Sequence, residues 1–146
     1  MAQAANPQWE APKDWQPGPA SSVRRGSWTV RSADGQSADI AVTAFPGDVG
    51  GLLANINRWR GQIGMQPVMP NEVASITSNM AVNGQTATMV DFSSEQPMAG
   101  KTNQQRVIVV ILMHDGNSWF FKMTGDAPLV AAQKDMLLQF VKSAKF

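Results

Sequence analysis

The side chains able to do chemistry in this sequence are few. His114 is the single histidine and the one side chain expected to titrate near neutrality. It stands beside Asp115 in a His-Asp-Gly turn, and a general base needs a nucleophile or a substrate proton within reach. No partner motif accompanies it, so it reads as a hairpin-tip residue. The eleven Asp and Glu are spread along the chain, with no two at the helical spacing that would aim them into one pocket. A glycosidase-type pair assembled from distant positions stays open on sequence alone. Cysteine is absent, which removes disulfides, thiolate nucleophiles, zinc ribbons and iron–sulfur clusters together. With one histidine besides, no metal and no cofactor is expected. The nine methionines show no clustered Met-x-x-Met pattern and read as core filling rather than copper ligands.

Two stretches invite a binding role. Gly47-Asp48-Val49-Gly50-Gly51 precedes a helical pattern, and glycines there would let backbone N–H groups approach an anion. The stretch lacks the Gly-Lys-Ser/Thr ending, follows no βαβ pattern and carries Asp48 where an anion would be repelled. A steric role is the better reading, with Gly50 and Gly51 letting the helix start lie close to a sheet. The helix itself, LLANINRWRGQIG (52–64), says more. Leu52, Ile56, Trp59 and Ile63 line one side, whereas Asn55, Asn57, Arg58, Arg60 and Gln62 supply the polar remainder. It has two arginines and no acid, and Asn and Gln stand where a merely solvated face takes Lys and Glu. This polar face is the expected binding surface, together with Trp9 and Trp15. The competing explanation is internal: Arg58 and Arg60 bonding loop carbonyls and carboxylates such as Asp48 or Glu72.

These residues must be positioned by a single domain, since 146 residues leave little room for two. With 43% hydrophobic and 16% charged residues, the chain is too apolar for intrinsic disorder, and it has no apolar run of about 20 residues to span a bilayer. A net charge of +1 suggests no surface built for phosphate backbones, so nucleic acid is not an expected partner. Residues 1–20 are rich in proline and read as an extended lead-in, with residues 21–146 as the domain. Two indoles are poorly explained in a floppy tail, so Trp9 and Trp15 are expected to pack on the body or on a partner. Ala2 to Ala5 looks like the small-residue end that leader cleavage leaves. An exported or periplasmic protein, anchored or not in its precursor, is the expectation.

From Val23 the pattern is strand-like: 27–31 and 38–45 around Asp34-Gly35, then 76–82 and 86–92 around Asn83-Gly84, then 107–113 and 118–123 around Asp115-Gly116. Helices are predicted over 49–63, with Asp48 as N-cap and Gly64 as stop, and over 128–142, capped by Asp126. In the second, Leu129, Ala132, Met136 and Phe140 form one row and Val130, Leu137 and Val141 the next. The near-continuous apolar run 107–113 predicts a strand buried on both faces. In SWFFKM, Trp119 and Phe121 should point to one face and Phe120 and Lys122 to the other. The expected fold is therefore α+β, an antiparallel β-sheet of about six strands flanked by two main helices, in the order β-β-α-β-β-β-β-α.

The segment SWFFKMTGDAPLVAAQKDMLLQFVKSAKF (118–146) resembles the last strand and helix of PsbP-like and Mog-like domains. In those an aromatic strand ends in a Thr-Gly turn, and the following helix closes in Phe-x-x-Ser-x-x-Phe. The start, W-x-x-P-x-x-W (Trp9, Pro12, Trp15), and PGDVGGLLANINRWRGQIG resemble uncharacterised, often exported bacterial proteins with that fold. The resemblance implies an α/β/α sandwich and a non-catalytic accessory or binding protein, as a photosystem subunit and a binder of a small GTPase are within the wider fold. It offers no catalytic residue to carry over. The expected function is a non-catalytic binding domain of the bacterial cell envelope, acting on another protein through the polar helix face. The alternative is a small-ligand-binding domain with a pocket between the sheet and the 95–104 loop.

Overall fold

The computed structural model describes residues 5–19 and 21–146; residues 1–4, which hold most of the Ala2–Ala5 end, lie outside the described part. The elements are β1 (Gln16–Pro17), β2 (Arg24–Arg31), β3 (Ser37–Pro46), α1 (Leu52–Gln62), a 3-10 helix (Pro70–Ser75), β4 (Thr77–Val82), β5 (Gln85–Ser93), β6 (Gln105–His114), β7 (Asn117–Asp126) and α2 (Ala127–Ser143). They form one seven-stranded sheet in the order β1-β2-β3-β7-β6-β5-β4, and every pairing is antiparallel. The α+β architecture follows the sequence patterns, but the strand count exceeds the expected six. The addition is β1, two residues of the proline-rich lead-in: Gln16 and Pro17 pair with Thr29 and Trp28 of β2. Proline is tolerated there because β1 is an edge strand.

Two hairpins turn where the dipeptides predict. Asn83 and Gly84 have φ of 49° and 85°, Asp115 and Gly116 of 51° and 78°, the left-handed pair that two-residue hairpin turns require. β7 then lies against β3 in register from Ala38↔Gly125 to Pro46↔Asn117, which joins the β2–β3 hairpin to the β4–β7 meander. Gly125 permits that join: a Cβ there would sit 2.5 Å from the Ala38 Cα, so no other residue fits.

Alternation divides the core between two faces. Val107 and Val109 of β6, with Val90, Phe92 and Phe120, pack under Ile56, Trp59 and Ile63 of α1. Ile108, Val110 and Leu112, with Trp119, Phe121 and Met123, pack under Leu137, Phe140 and Val141 of α2. Both faces of β6 are thus covered over 107–110, as its apolar run predicts, whereas Ile111 is half-buried and Met113 is exposed at the strand end. Asp126 caps α2 through its carboxylate, which accepts the Leu129 N–H at 3.1 Å. In α2 the expected inward row is only partly right, since Ala132 is exposed while Leu129, Val130, Leu137, Phe140 and Val141 are buried.

Two expectations around α1 are corrected. The helix begins at Leu52 with Gly51 as N-cap and no side-chain cap, so Asp48 does not cap it. A Cβ on Gly50 or Gly51 would meet nothing within 4 Å, so close approach is not their purpose; φ values of 86° and 94° are, since such backbone costs glycine nothing.

Candidate functional site

The polar side chains of α1 do not form one outward face. Asn55 is 2% exposed, and its Oδ1 is buried without a partner; it lies inward beside Ile56. Asn57 is spent on the loop after the helix: its Nδ2 donates to the Val68 carbonyl at 3.2 Å and its Oδ1 accepts the Val68 N–H at 2.8 Å. Arg60 donates from Nε to the Gln66 carbonyl at 2.8 Å, and its guanidinium lies 5.5 Å from the Phe92 ring centre. A loop carbonyl rather than Asp48 or Glu72 is therefore the acceptor. Gln62 accepts a hydrogen bond from Lys122 Nζ. Arg58 alone is exposed without a hydrogen-bond partner among the described residues, its guanidinium 5.6 Å from the Trp59 ring.

Of the two indoles of the lead-in, Trp15 is a core residue and Trp9, half-buried, packs against the same cluster. Trp15 is 4% exposed, donates from Nε1 to Gln133 Oε1 at 3.0 Å, and lies 5.2 Å from Phe140, measured between ring centres. Trp9 contacts Trp28 and Phe140 at 5.8 and 5.6 Å. They join the lead-in to α2 and leave Trp15 nothing to offer a partner.

Concavities occur instead where α1 ends. The first, of about 420 Å³, lies between the helix end and the loop after β5, lined by Arg60, Ile63, Met65, Ser94, Pro97 and Met98 among others. This is the loop side on which sequence reasoning places a pocket. Gly64 turns the chain away with φ of 75°, and the Met65 N–H returns to the Arg60 carbonyl at 2.9 Å, so the helix stops short and leaves its last apolar residues facing the loop. Ser94 is not an idle nucleophile: its hydroxyl donates to the Gln96 carbonyl at 2.8 Å and accepts the Gln105 N–H at 3.0 Å. His114 lies at the other end of β6, stacked on Phe146 at 4.1 Å between ring centres.

The second concavity, of about 400 Å³, opens on the same side of the sheet and includes Arg24, Asp39, Gln62, Lys101, Lys122 and Thr124 in its lining. Arg24 grips both oxygens of Asp39, at 3.0 and 3.1 Å. Burial, then the charge of Arg58, pushes the Lys122 ammonium down to about 8, against a smaller opposing pull from Asp39.

No protein-family model matches the chain, and no curated protein does either. Among solved structures it is similar to LpqN of Mycobacterium tuberculosis, described as involved in cell envelope biogenesis. The match has a TM-score of 0.51 and 15% identity, over 94% of this chain and 81% of that one. At that identity the likeness concerns the fold.

Nothing in the sequence marked the second concavity. Its residues come from β2, β3, β6, β7, α1 and a loop, and apart from Gln62, expected on the polar face of α1, each is unremarkable in its own segment. The further signal was Lys122, a lysine set between Trp119-Phe120-Phe121 and Met123 on its strand.

Proposed function

We propose that this chain is a non-catalytic binding domain of the bacterial cell envelope. Its ligand seats in the cleft between the end of α1 and the loop after β5. The observation that carries the reading is the cleft itself. It has the volume of a small-molecule site, with Ile63, Met65, Pro97 and Met98 as apolar lining and Arg60 and Glu95 at hand for orientation. Two of those side chains are methionines, which adapt to irregular ligands. The alternative of a protein interface on the polar face of α1 has less support, because Asn55 is buried and Asn57, Arg60 and Gln62 have internal partners. Only Arg58 remains for it.

The non-catalytic assignment rests on the use of the polar groups around the cleft, where Ser94 holds the loop to β6. The envelope assignment draws on the fold shared with LpqN and on the resemblance to PsbP-like and Mog-like domains. No described helix is long and apolar enough to cross a membrane.

Ala99 is exposed and lines the cleft, so Ala99→Trp fills it without disturbing the core. An uncharged apolar probe, Nile red, is expected to bind the native protein saturably and Ala99→Trp about tenfold more weakly, a loss of about 1.4 kcal/mol. Melting should be unchanged. Equal affinity in the two proteins would remove the cleft as the site.

A further inference from the structure

We infer that the polar groove beside α1 is a binding site for a compact oxyanion, a phosphate group held by Lys122 and the Thr124 hydroxyl. This goes beyond the apolar cleft and does not depend on it.

Four charged residues line the groove, Arg24 from β2, Asp39 from β3, Lys101 from the loop before β6 and Lys122 from β7, and the charge of Arg58 on α1 reaches Lys122 from outside the lining. Arg24 and Asp39 neutralise one another in a two-pronged pair, and Arg24 also bonds the Ser27 hydroxyl at 2.9 Å. Arg58, Lys101 and Lys122 have no ion pair among the described residues. The groove therefore holds an excess of positive charge.

Lys122 is the centre of that excess. An ammonium carries three N–H donors. One goes to Gln62, a neutral acceptor, which leaves two. Two residues along the same strand, and so on the same face, the Thr124 hydroxyl is buried with no hydrogen-bond partner. A partly desolvated cation and an orphaned hydroxyl side by side are each unfavourable, and one anion relieves both. The shape of the donor set selects the anion. The one guanidinium fork lining the groove is occupied by Asp39, and what remains is ammonium and hydroxyl, single-point donors suited to a tetrahedral oxyanion rather than a planar carboxylate. The depressed titration of Lys122 agrees, since burial first and the charge of Arg58 second disfavour the ammonium, and Asp39 does not offset them.

The test uses the full chain, with ¹³C-labelled lysine observed by NMR and inorganic phosphate as the probe, against chloride at equal ionic strength and against acetate. Saturable perturbation of Lys122 by phosphate is expected, with acetate about tenfold weaker and chloride without effect. Saturating phosphate should move the titration of Lys122 upward, towards the ordinary lysine value. Lys122→Met should lose about tenfold or more in affinity while folding at least as stably. Thr124→Val, nearly isosteric, should lose binding while keeping the fold, and it decides the matter should Lys122→Met fail to fold. Glycerol 3-phosphate distinguishes the source: tighter binding than inorganic phosphate means an ester such as a lipid head group, equal or weaker binding a free ion. An effect of phosphate no larger than that of chloride, acetate binding as tightly as phosphate, or undiminished binding in Thr124→Val would each overturn the inference.

Discussion

Asn57 and Arg58 are neighbours on α1 with opposite roles, and the sequence does not separate them. Both are polar residues on a helix whose apolar side is plain. Whether such a residue meets solvent, a partner or its own chain depends on the path of residues 63–69, which periodicity cannot supply. The two hydrogen bonds from the Asn57 side-chain amide to the Val68 backbone pin that segment to the helix. Asn57→Ala should destabilise the protein by about 1 to 3 kcal/mol, and Arg58→Ala by less than about 0.5 kcal/mol, measured by chemical denaturation. Similar costs for both would mean that the helix face is not divided in this way. Asp91 is a second residue whose role emerges only in three dimensions. It accepts from Arg106 Nε and Nη2 at 2.8 and 2.6 Å and from Lys134 at 3.2 Å. Burial would raise its carboxyl, but those hydrogen bonds and charges prevail and hold it below the ordinary aspartate value. A carboxylate favoured by the native state adds stability above the unfolded value of about 3.9 and loses that contribution as pH falls through the lower native value. The melting difference between wild type and Asp91→Asn should therefore be full at neutral pH and shrink below about pH 4. A difference that grows in acid would contradict the assignment.

At the scale of elements, periodicity served best where one strand or helix has one clear environment. The apolar run in β6 and the alternation in SWFFKM translate directly into two covered faces, because side-chain direction in a strand is fixed by parity. The lead-in was harder to read, since prolines hide any period; its two indoles were the legible part. They join Trp28 and Phe140 in a ring cluster, and backbone bonds between Gln8 and Lys145, at 2.9 and 2.8 Å, tie the segment to the chain after α2. Gly26 makes room for this, as a Cβ there would lie 2.5 Å from the Trp28 ring. The lead-in is thus part of the layer over the α2 side of the core. Trp15→Ala should cost about 3 to 5 kcal/mol, the range for a large buried aromatic, and the emission of Trp15 in a variant retaining only that indole should be blue-shifted. Solvent-like emission with unchanged stability would show that the segment does not dock.

For the whole molecule, the sheet with a helix on each face was foreseeable from element order, and the 95–104 loop borders a cleft, though with the end of α1 rather than with the sheet. The location followed from a simple fact: a long polar connection between two buried strands must arch over something. The polar groove was not foreseeable, because it is built from β2, β3 and β7, whose adjacency depends on β7 closing onto β3. The two faces differ in use. The α2 side is covered by the lead-in apart from a smaller concavity of about 150 Å³ beside His114 and Phe146, and the α1 side carries the two larger ones at the helix end, so binding belongs there. The nine methionines provide the most direct test, because Met65 and Met98 line the cleft whereas Met123 is buried on the α2 side and Met136 packs there. Methyl NMR of the ¹³C-methionine protein, recorded while a library of small fragments is titrated in, should show hits converging on Met65 and Met98 with Met123 and Met136 unmoved. Hits absent, or gathered on the α2 side, would contradict the account.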